Sequence, residues 1–363
     1  MLKLISTLSC CIALLGSPEL IADEALRLGM SVALSGPAKD IGQQLRQGAD
    51  LYFDYANAQV NKTHPTISLI VLDDGYEPSR TVVNTRYLIE QHQVMALFGN
   101  MGTPTAHAIQ AILTHHKLPF LMPFTGADFL RHDTPYPIFN WRASYMDEAS
   151  EQVTYLVDEQ GHKHIALLIQ ADEFGLTLEK SFRQTLAERG MQPTVIARFR
   201  RNSADIKKAL QVIMRSEATA VAMIGTYQPL SIFIDKAMHR GFKGTFSGVS
   251  FTSSRALFAQ LTSKPTLMIS EVVPALQTCQ AELCDLFRLL AHRQGLQTSP
   301  QVFEGFLNAA IFTAALEHCP RPITRTCLPG ALQQVLTENK GIRHIFGLSE
   351  TENKPRVYRS YLQ

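Results

Sequence analysis

The sequence lacks an excess of charge of either sign. Its 363 residues carry 34 Lys and Arg against 32 Asp and Glu, which leaves a formal net charge of +2. No basic run interleaved with aromatic residues occurs along the chain. The electrostatic footprint of a nucleic-acid-binding surface is therefore missing, and nucleic acid is not expected as a partner.

Long apolar runs are also scarce. One lies at the amino terminus, where Lys3 precedes the uncharged stretch 4–15, the turn-prone segment 16–18 and small residues around Ala22. A positive charge, an apolar stretch and small residues in this order are typical of a secretory signal peptide. We predict a signal peptide over residues 1–22, with a short buried strand or helix as the alternative. No later run of about 18 apolar residues follows, so no other segment is expected to span a membrane.

Catalytic motifs are missing as well. The sequence has no glycine-rich dinucleotide fingerprint after the first predicted strand, no Walker loop, no His-Glu-x-x-His and no Gly-x-Ser-x-Gly. The histidines within 115–116 and 162–164 lack the helical spacing of metal ligands, so neither a metal site nor a cofactor is predicted. Asp73 and Asp74 could do acid–base work, but a pair just before Gly75 is more typical of a turn. We therefore predict that the protein is not an enzyme.

Cysteine is sparse, with six residues of which two lie in the predicted signal peptide. The other four are Cys279, Cys284, Cys319 and Cys327. An even number in an exported protein favours disulfides, and four cysteines allow three pairings. Proximity in sequence favours the first two with each other and the last two with each other. Four free thiols are the alternative.

The chain does contain a regular alternation of apolar, strand-length runs with amphipathic, helix-length runs from residue 26 onward. The predicted strands are 28–34, 67–72, 94–98, 119–122, 164–169, 194–199, 218–224 and 245–247. This alternation is typical of parallel sheets with crossover helices, which predicts an α/β fold. It restarts after residue 141, so two similar halves are expected.

The loop after the third predicted strand is the first candidate site. Ligands of open α/β sheets bind beyond the carboxyl ends of the strands. Residues 99–103 follow Phe98 there, and Pro104 begins a helix. The first N–H groups of a helix have no partner within it and attract anions, so the loop is a candidate carboxylate or phosphate cradle. An ordinary turn capped by Thr103 is the alternative.

Eight short motifs occupy successive strand ends and loops. They are Ser35-Gly36-Pro37, Asp73-Asp74-Gly75-Tyr76-Glu77-Pro78, the segments 98–105, 123–127 and 139–145, Asp172-Glu173-Phe174-Gly175, the segment 225–229, and Val249-Ser250-Phe251. In this order the motifs resemble those of the leucine/isoleucine/valine-binding family of periplasmic substrate-binding proteins, which serve ABC importers. The resemblance runs nearly from end to end of the chain.

The resemblance implies the type I periplasmic-binding-protein fold, in which two Rossmann-like lobes with parallel sheets are joined by a three-segment hinge. The first lobe would hold residues 26–141 and about 275–338, and the second 142–274 and about 339–363. The chain would be a periplasmic, monomeric receptor that captures a small polar organic ligand, of amino acid, amide or carboxylate type, for an ABC permease. A sensory or regulatory protein that signals through a membrane partner is the alternative.

The resemblance also assigns ligand contacts, position by position. In the first lobe these are Met101, Gly102, Thr103, Phe124, Thr125 and Gly126. At the hinge and in the second lobe they are Tyr145, Phe174, Tyr227 and Ser250. The hydroxyls and helix-start N–H groups suit a carboxylate, and the rings would exclude water from the cleft. Lobe packing alone is the alternative role for the three aromatic residues of the hinge and second lobe.

Ser250 departs from the amino-acid-binding members of the family, which usually carry an acidic residue there for the ligand ammonium. A serine cannot neutralise that charge. A carboxylate, amide, urea-like or aromatic-acid ligand is therefore as consistent with the sequence as an α-amino acid. Asp147 or Asp172 could supply the missing carboxylate, and Arg142 is expected to brace the hinge rather than to face the ligand.

Overall fold

The first sheet is built from the apolar runs of the amino-terminal half. A computed structural model describes residues 25–131, 133–348 and 355–362, so the predicted signal peptide lies outside the described residues. The first-lobe strands are β1 (Leu26–Val32), β2 (Ile67–Asp73), β3 (Ala96–Phe98), β4 (Phe120–Leu121) and β5 (Ile138–Phe139). They are parallel, in the order β2-β1-β3-β4-β5. The helices between them are α1 (Lys39–Asn57), α2 (Pro78–Glu90) and α3 (Thr103–His116).

The second sheet repeats this plan. Its strands are β6 (Ile165–Gln170), β7 (Val195–Phe199), β8 (Ala220–Ile224), β9 (Thr245–Gly248), β10 (Thr266–Glu271) and β11 (Tyr358–Tyr361). The order is β11-β10-β9-β8-β6-β7, and only the edge strand β11 is antiparallel among the described strands. The helices are α4 (Tyr145–Val153), which a π-helical segment extends to Glu159, α5 (Glu173–Ala187), α6 (Lys207–Met214), α7 (Tyr227–His239) and α8 (Ser254–Gln260).

After β10 the chain returns to the first lobe as four helices. They are α9 (Glu282–Arg293), α10 (Pro300–Leu316), α11 (Leu328–Glu338) and α12 (Lys340–Ile345). α10 is apolar on nearly all sides and buried, as expected of a core helix. It lies very close to α1, because a Cβ on Gly305 would be 2.1 Å from the carbonyl oxygen of Leu45. The returning helices therefore complete the core of the first lobe.

The disulfides lie in this returning segment. Cys279 is bonded to Cys284, and Cys319 is bonded to Cys327. Both bonds join residues close in sequence, which is the pairing that proximity favours. Among the described residues, no helix combines the length and apolarity that crossing a bilayer requires.

The third crossing between the lobes comes later than the sequence analysis places it. Ile342, Ile345 and Phe346 are buried in the core of the first lobe, and the ring of Phe346 stacks on Trp141 with centroids 3.9 Å apart. The chain reaches the second sheet only at β11. A start of the second lobe at about residue 339 does not agree with this packing, because the apolar face of α12 needs the cover that α9 and α11 provide.

Candidate functional site

The two lobes present equivalent strand ends to each other. In both sheets the first strand of the chain lies between the second and the third, in the orders β2-β1-β3 and β7-β6-β8. The direction in which strands are added therefore reverses between the first and the third strand. Ligands of open α/β sheets bind at this switch point. The loops at the two switch points contain residues 99–103 after β3, residues 171–174 after β6 and residues 225–227 after β8. Five of the ten predicted contact residues follow these strands, and the other five follow β4, β5 and β9.

Three hydroxyl groups meet at the centre of the site, and we call Thr103, Thr125 and Tyr145 the hydroxyl cluster. The two threonine oxygens are 2.8 Å apart, and each lies 3.2 Å from the Tyr145 hydroxyl. All three side chains are fully buried. Burial raises the pKa of Tyr145 to about 12, so the phenol keeps its proton at neutral pH. The cluster therefore offers hydroxyl donors on one small surface.

Backbone contacts hold the loops that carry the cluster. Met101 and Phe124 form a β-bridge, and the N–H of Gly102 donates to the carbonyl of Phe124 at 3.2 Å. The N–H of Tyr145 donates to the carbonyl of Gly126 at 2.8 Å. Gly102 has a φ of +108°, and a Cβ there would be 2.4 Å from the ring of Tyr76. Only glycine fits this position. The structure thus brings the six predicted first-lobe residues and Tyr145 together.

Aromatic rings from both lobes cover one side of the site. Phe251 lies at the centre of this aromatic cluster, with ring centroids 4.7 Å from Phe174, 5.3 Å from Phe124 and 5.5 Å from Tyr76. Phe174 also contacts Tyr145, at 5.5 Å. The three rings around Phe251 are buried, as are Phe251 itself and Tyr145. The sequence analysis includes Phe124, Phe174 and Tyr145 in the site but omits Tyr76 and Phe251, although both belong to motifs of the resemblance.

Tyr76 reaches the cleft because the loop after β2 turns sharply. Its φ is +60°, which is uncommon for a residue with a side chain. Asp74 stabilises the turn by accepting hydrogen bonds from the N–H of Tyr76 at 2.8 Å and from the hydroxyls of Ser31 and Thr81 at 2.8 and 3.0 Å. Asp74 therefore serves the turn, as the sequence analysis favours.

Arg142 lies fully buried beside the aromatic cluster. Its Nη1 donates to both carboxylate oxygens of Glu304, at 2.6 Å each. Its Nη2 donates to the Ser250 hydroxyl, and the guanidinium carbon lies 4.2 Å from the ring centroid of Phe124. The Nε is buried and has no hydrogen-bond partner among the described residues. Arg142 thus joins the hinge to α10, as expected, but its guanidinium also borders the candidate site.

The carboxylate beside Ser250 comes from Glu148. Glu148 accepts bonds from the Ser250 N–H at 2.7 Å, the Ser250 hydroxyl at 2.8 Å and the Ser270 hydroxyl at 2.7 Å. The two residues named in the sequence analysis serve other purposes. Asp147 forms the capping box of α4 with Ser144, and Asp172 caps α5. The expectation that one of them replaces the missing acid is therefore wrong, because their carboxylates are bound at helix starts.

Tyr227 makes a contact between the lobes and does not belong to the hydroxyl cluster. It is nearly fully buried and hydrogen-bonded to Asp40, which lies in the first turn of α1. Burial raises its pKa above the ordinary value, with the negative charge of Asp40 as a further cause. The structure places the phenol at the interface between the lobes, and its predicted contact with a ligand stays a prediction.

A second set of contacts joins the lobes at the other end of the cleft. Arg201 of the second lobe donates to Glu77 of the first at 2.9 Å and also bonds Asp172 at 3.4 Å. Asn202 donates to the Glu77 carboxylate at 2.7 Å and to the carbonyl of Gly75 at 3.0 Å. We call Glu77, Arg201 and Asn202 the interlobe latch. The lobes are therefore closed on each other in this structure.

One further carboxyl group is buried near the hinge. Glu271, the last residue of β10, is fully buried, and burial raises its pKa to about 8. Its side chain interacts with the hydroxyls of Ser254 and Ser360, while Oε1 has no hydrogen-bond partner within residues 25–131, 133–348 and 355–362. Glu271 is therefore protonated at neutral pH. No group of three or more acidic, histidine or cysteine side chains among the described residues is arranged to hold a metal ion.

Comparison with known proteins shows the family. The sequence model of the periplasmic binding protein family matches residues 25–354, which is nearly the whole chain. The chain belongs to the periplasmic binding protein family. The fold class and the resemblance that the sequence predicts are thereby confirmed, and so is the expectation of a solute-binding receptor.

Solved structures agree with this assignment. A possible leucine/isoleucine/valine-binding protein from Rhodopirellula baltica SH 1 is 30% identical and superposes with a TM-score of 0.86, over 94% of this chain and 95% of that one. The leucine-binding protein LivK of Thermotoga maritima shares the fold at 15% identity, with a TM-score of 0.80 over 92% and 94% of the two chains. Among curated sequences, the Leu/Ile/Val-binding protein BraC3 of Rhizobium johnstonii is 20% identical over 219 residues, which are 60% of this chain and 59% of that protein.

Proposed function

We propose that this periplasmic binding protein captures a small polar organic ligand, of amino acid, amide or carboxylate type, between its lobes and delivers it to an ABC permease. It would be exported through the predicted signal peptide, act as a monomer and bind its ligand without chemical conversion. The single observation that supports the ligand class most strongly is the hydroxyl cluster at the start of α3. Hydroxyl groups beside a helix start are suited to a carboxylate or amide oxygen, because the helix dipole adds a favourable term.

The aromatic cluster supports the same proposal. Small-molecule sites are lined by apolar and aromatic side chains, with a few convergent polar groups that fix orientation. Here the rings adjoin the three hydroxyls, because Tyr145 contacts both Phe174 and Thr103. Closure of the lobes would bury the apolar part of the ligand against Phe174 and Phe251 and hold its polar end at Thr103. The gain in contacts would shift the population toward the closed form.

A thermal-shift screen of the mature protein against amino acids, amides, aromatic acids and short dicarboxylates tests this proposal, because a ligand that binds only the folded protein raises the melting temperature. Thr103→Ala removes one hydroxyl, and the loss of a buried hydrogen bond of about 1–3 kcal/mol should weaken binding roughly 5- to 100-fold. The matched control is Thr114→Ala on the same helix, whose exposed hydroxyl bonds only the carbonyl of Gln110. Equal affinities of the two variants would show that the ligand lies elsewhere.

Delivery to a permease requires a separate measurement. The cognate ABC importer, reconstituted in liposomes, should hydrolyse ATP faster when the ligand-loaded protein is added than when the unloaded protein is added. The same stimulation by both forms would argue against ligand delivery. Tight binding of the unloaded protein to a membrane kinase or cyclase would favour signalling instead.

A further inference from the structure

The buried charged side chains around Ser250 are hydrogen-bonded to one another and to the serine. Arg142 lies on one side of the serine hydroxyl and Glu148 on the other. Both oxygens of Glu304 accept from Arg142, and Glu148 already accepts three hydrogen bonds. These hydrogen bonds leave few free lone pairs on either carboxylate for a ligand ammonium. An ammonium that loses its water without gaining a carboxylate partner is strongly disfavoured in a buried site.

The guanidinium of Arg142 places a hydrogen-bond donor where an amino-acid-binding protein would have a carboxylate for the ligand ammonium. Arginine has five N–H donors and no acceptor. The Nη1 and Nη2 atoms of Arg142 are engaged, but its Nε is buried and has no partner in the part of the chain that the structure describes. The guanidinium rests on Phe124, which belongs to the aromatic cluster of the cleft. A carbonyl or carboxylate oxygen of a ligand would satisfy this donor, and an ammonium would not.

The electrostatic effect at the hydroxyl cluster has the same sign. The largest charge effects on the Tyr145 hydroxyl come from Arg142, which lowers its pKa, and Glu148, which raises it. The effect of Arg142 is the larger of the two, although burial outweighs both. Arg142 therefore reduces the cost, set by burial, of placing a negatively charged or oxygen-rich group at the cluster.

We propose that Arg142 is a specificity-determining residue, which makes the cleft prefer a carboxylate or amide without an ammonium group over the corresponding amino acid. This inference rests on the proposed function, since it concerns the same cleft. It narrows the ligand class from three types to two. It also gives a role to the serine at position 250, where amino-acid-binding members have an acid. The serine lets the guanidinium of Arg142 and Glu148 share one hydrogen-bonded network.

Matched ligand pairs test the inference by isothermal titration calorimetry. The probes are leucine with 4-methylpentanoate, phenylalanine with 3-phenylpropanoate, and phenylalanine amide with 3-phenylpropanamide. In the pair that binds, the compound without the ammonium should bind at least tenfold more tightly. Tighter binding of the ammonium compound would overturn the inference and leave the proposed function standing. No binding by any pair, together with no response in the thermal-shift screen, would overturn both.

Two variants connect the preference to the residues. Arg142→Lys keeps the charge but loses the Nε donor and the planar fork, so affinity for the ammonium-free compound should fall about tenfold. The control is Arg46→Lys, whose partner Asp50 lies on the same exposed helix face. The double variant Glu148→Gln with Ser250→Asp moves the carboxylate to position 250 without adding one, and it should shift the preference toward the amino acid by at least tenfold. An unchanged preference in a folded double variant would contradict the inference.

Discussion

At the scale of single residues, the exchange at position 250 changes the neighbours as well as the position itself. A serine hydroxyl both donates and accepts, so Ser250 bonds a carboxylate and a guanidinium at once. An acidic side chain at this position would place a further negative charge beside Glu148. The polarity of the cleft is therefore set by a group of buried residues from the hinge, α4 and α10. The residue at position 250 alone does not predict it.

Glu271 makes stability depend on pH. Its pKa is raised from 4.5 to about 8 by burial, so the folded protein keeps a proton that the unfolded chain releases in this range. The stability that this proton contributes is full below about pH 4.5 and is lost as the pH rises through about 8, a change on the order of a few kcal/mol. The melting temperature of the native protein should fall between pH 5 and pH 8. In Glu271→Gln that fall should be smaller, whereas in Glu217→Gln, whose side chain is 84% exposed, it should be unchanged.

The sequence predicts part of the site at this scale, for physical reasons. Met101, Thr103 and Thr125 directly follow strands, and the carboxyl ends of parallel strands meet at one edge, so their proximity is predictable. Phe251 and Tyr76 meet only because the lobes close, and no local sequence pattern predicts a contact between the lobes. Glu148 lies among other polar residues of α4, whereas Glu304 is the one charged residue of the apolar helix α10. Their partners Ser250 and Arg142 lie 102 and 162 residues away along the chain, so no local pattern predicts the contacts.

At the scale of elements, α1 and α10 of the first lobe pack with their backbones close together. A Cβ on Gly48 would be 1.9 Å from the carbonyl oxygen of Val302, and one on Gly305 would be 2.1 Å from that of Leu45. Two glycines on facing helices thus allow the backbones to approach. The strand and helix positions were predictable from the alternation of apolar runs, but this pairing joins segments more than 250 residues apart and leaves no sign in either one.

Gly305→Ala should lower the free energy of unfolding by about 2–4 kcal/mol, because the added methyl group forces two helices apart. Urea unfolding monitored by circular dichroism measures the change. Gly330→Ala in α11 is the control, because a Cβ there meets nothing within 4 Å. The control should be stabilised by about 0.5–1 kcal/mol through helix propensity alone. A loss of stability in the control equal to that in Gly305→Ala would contradict the packing account.

At the scale of the whole molecule, two lobes close around one site. The hydroxyl cluster and the aromatic cluster each combine residues of the first lobe with residues of the hinge or the second lobe. The third crossing, which the sequence analysis places too early, shows the limit of inference from local patterns, because α12 is assigned to a lobe by packing alone. Closure also needs contacts outside the ligand site, and the interlobe latch supplies them.

The latch should contribute modestly to ligand affinity. Glu77 and Arg201 have side-chain exposures of 41% and 20%, and exposed ion pairs contribute about 0.2–1 kcal/mol. Glu77→Gln should therefore weaken the binding of any ligand that closes the lobes about two- to fivefold, and less so in 1 M salt, where the charges are screened. Asp50→Asn, which removes an ion pair within one helix, should not change affinity. An equal effect at low and high salt would argue against an electrostatic latch.

The most direct measurement is a crystal structure of the mature protein with a ligand from the thermal-shift screen. The account predicts closed lobes, a carboxylate or amide oxygen within hydrogen-bond distance of the hydroxyls of Thr103, Thr125 and Tyr145, and an apolar part against Phe174 and Phe251. A ligand bound outside the cleft, or one bound between the lobes without contact to any of the three hydroxyls, would contradict it.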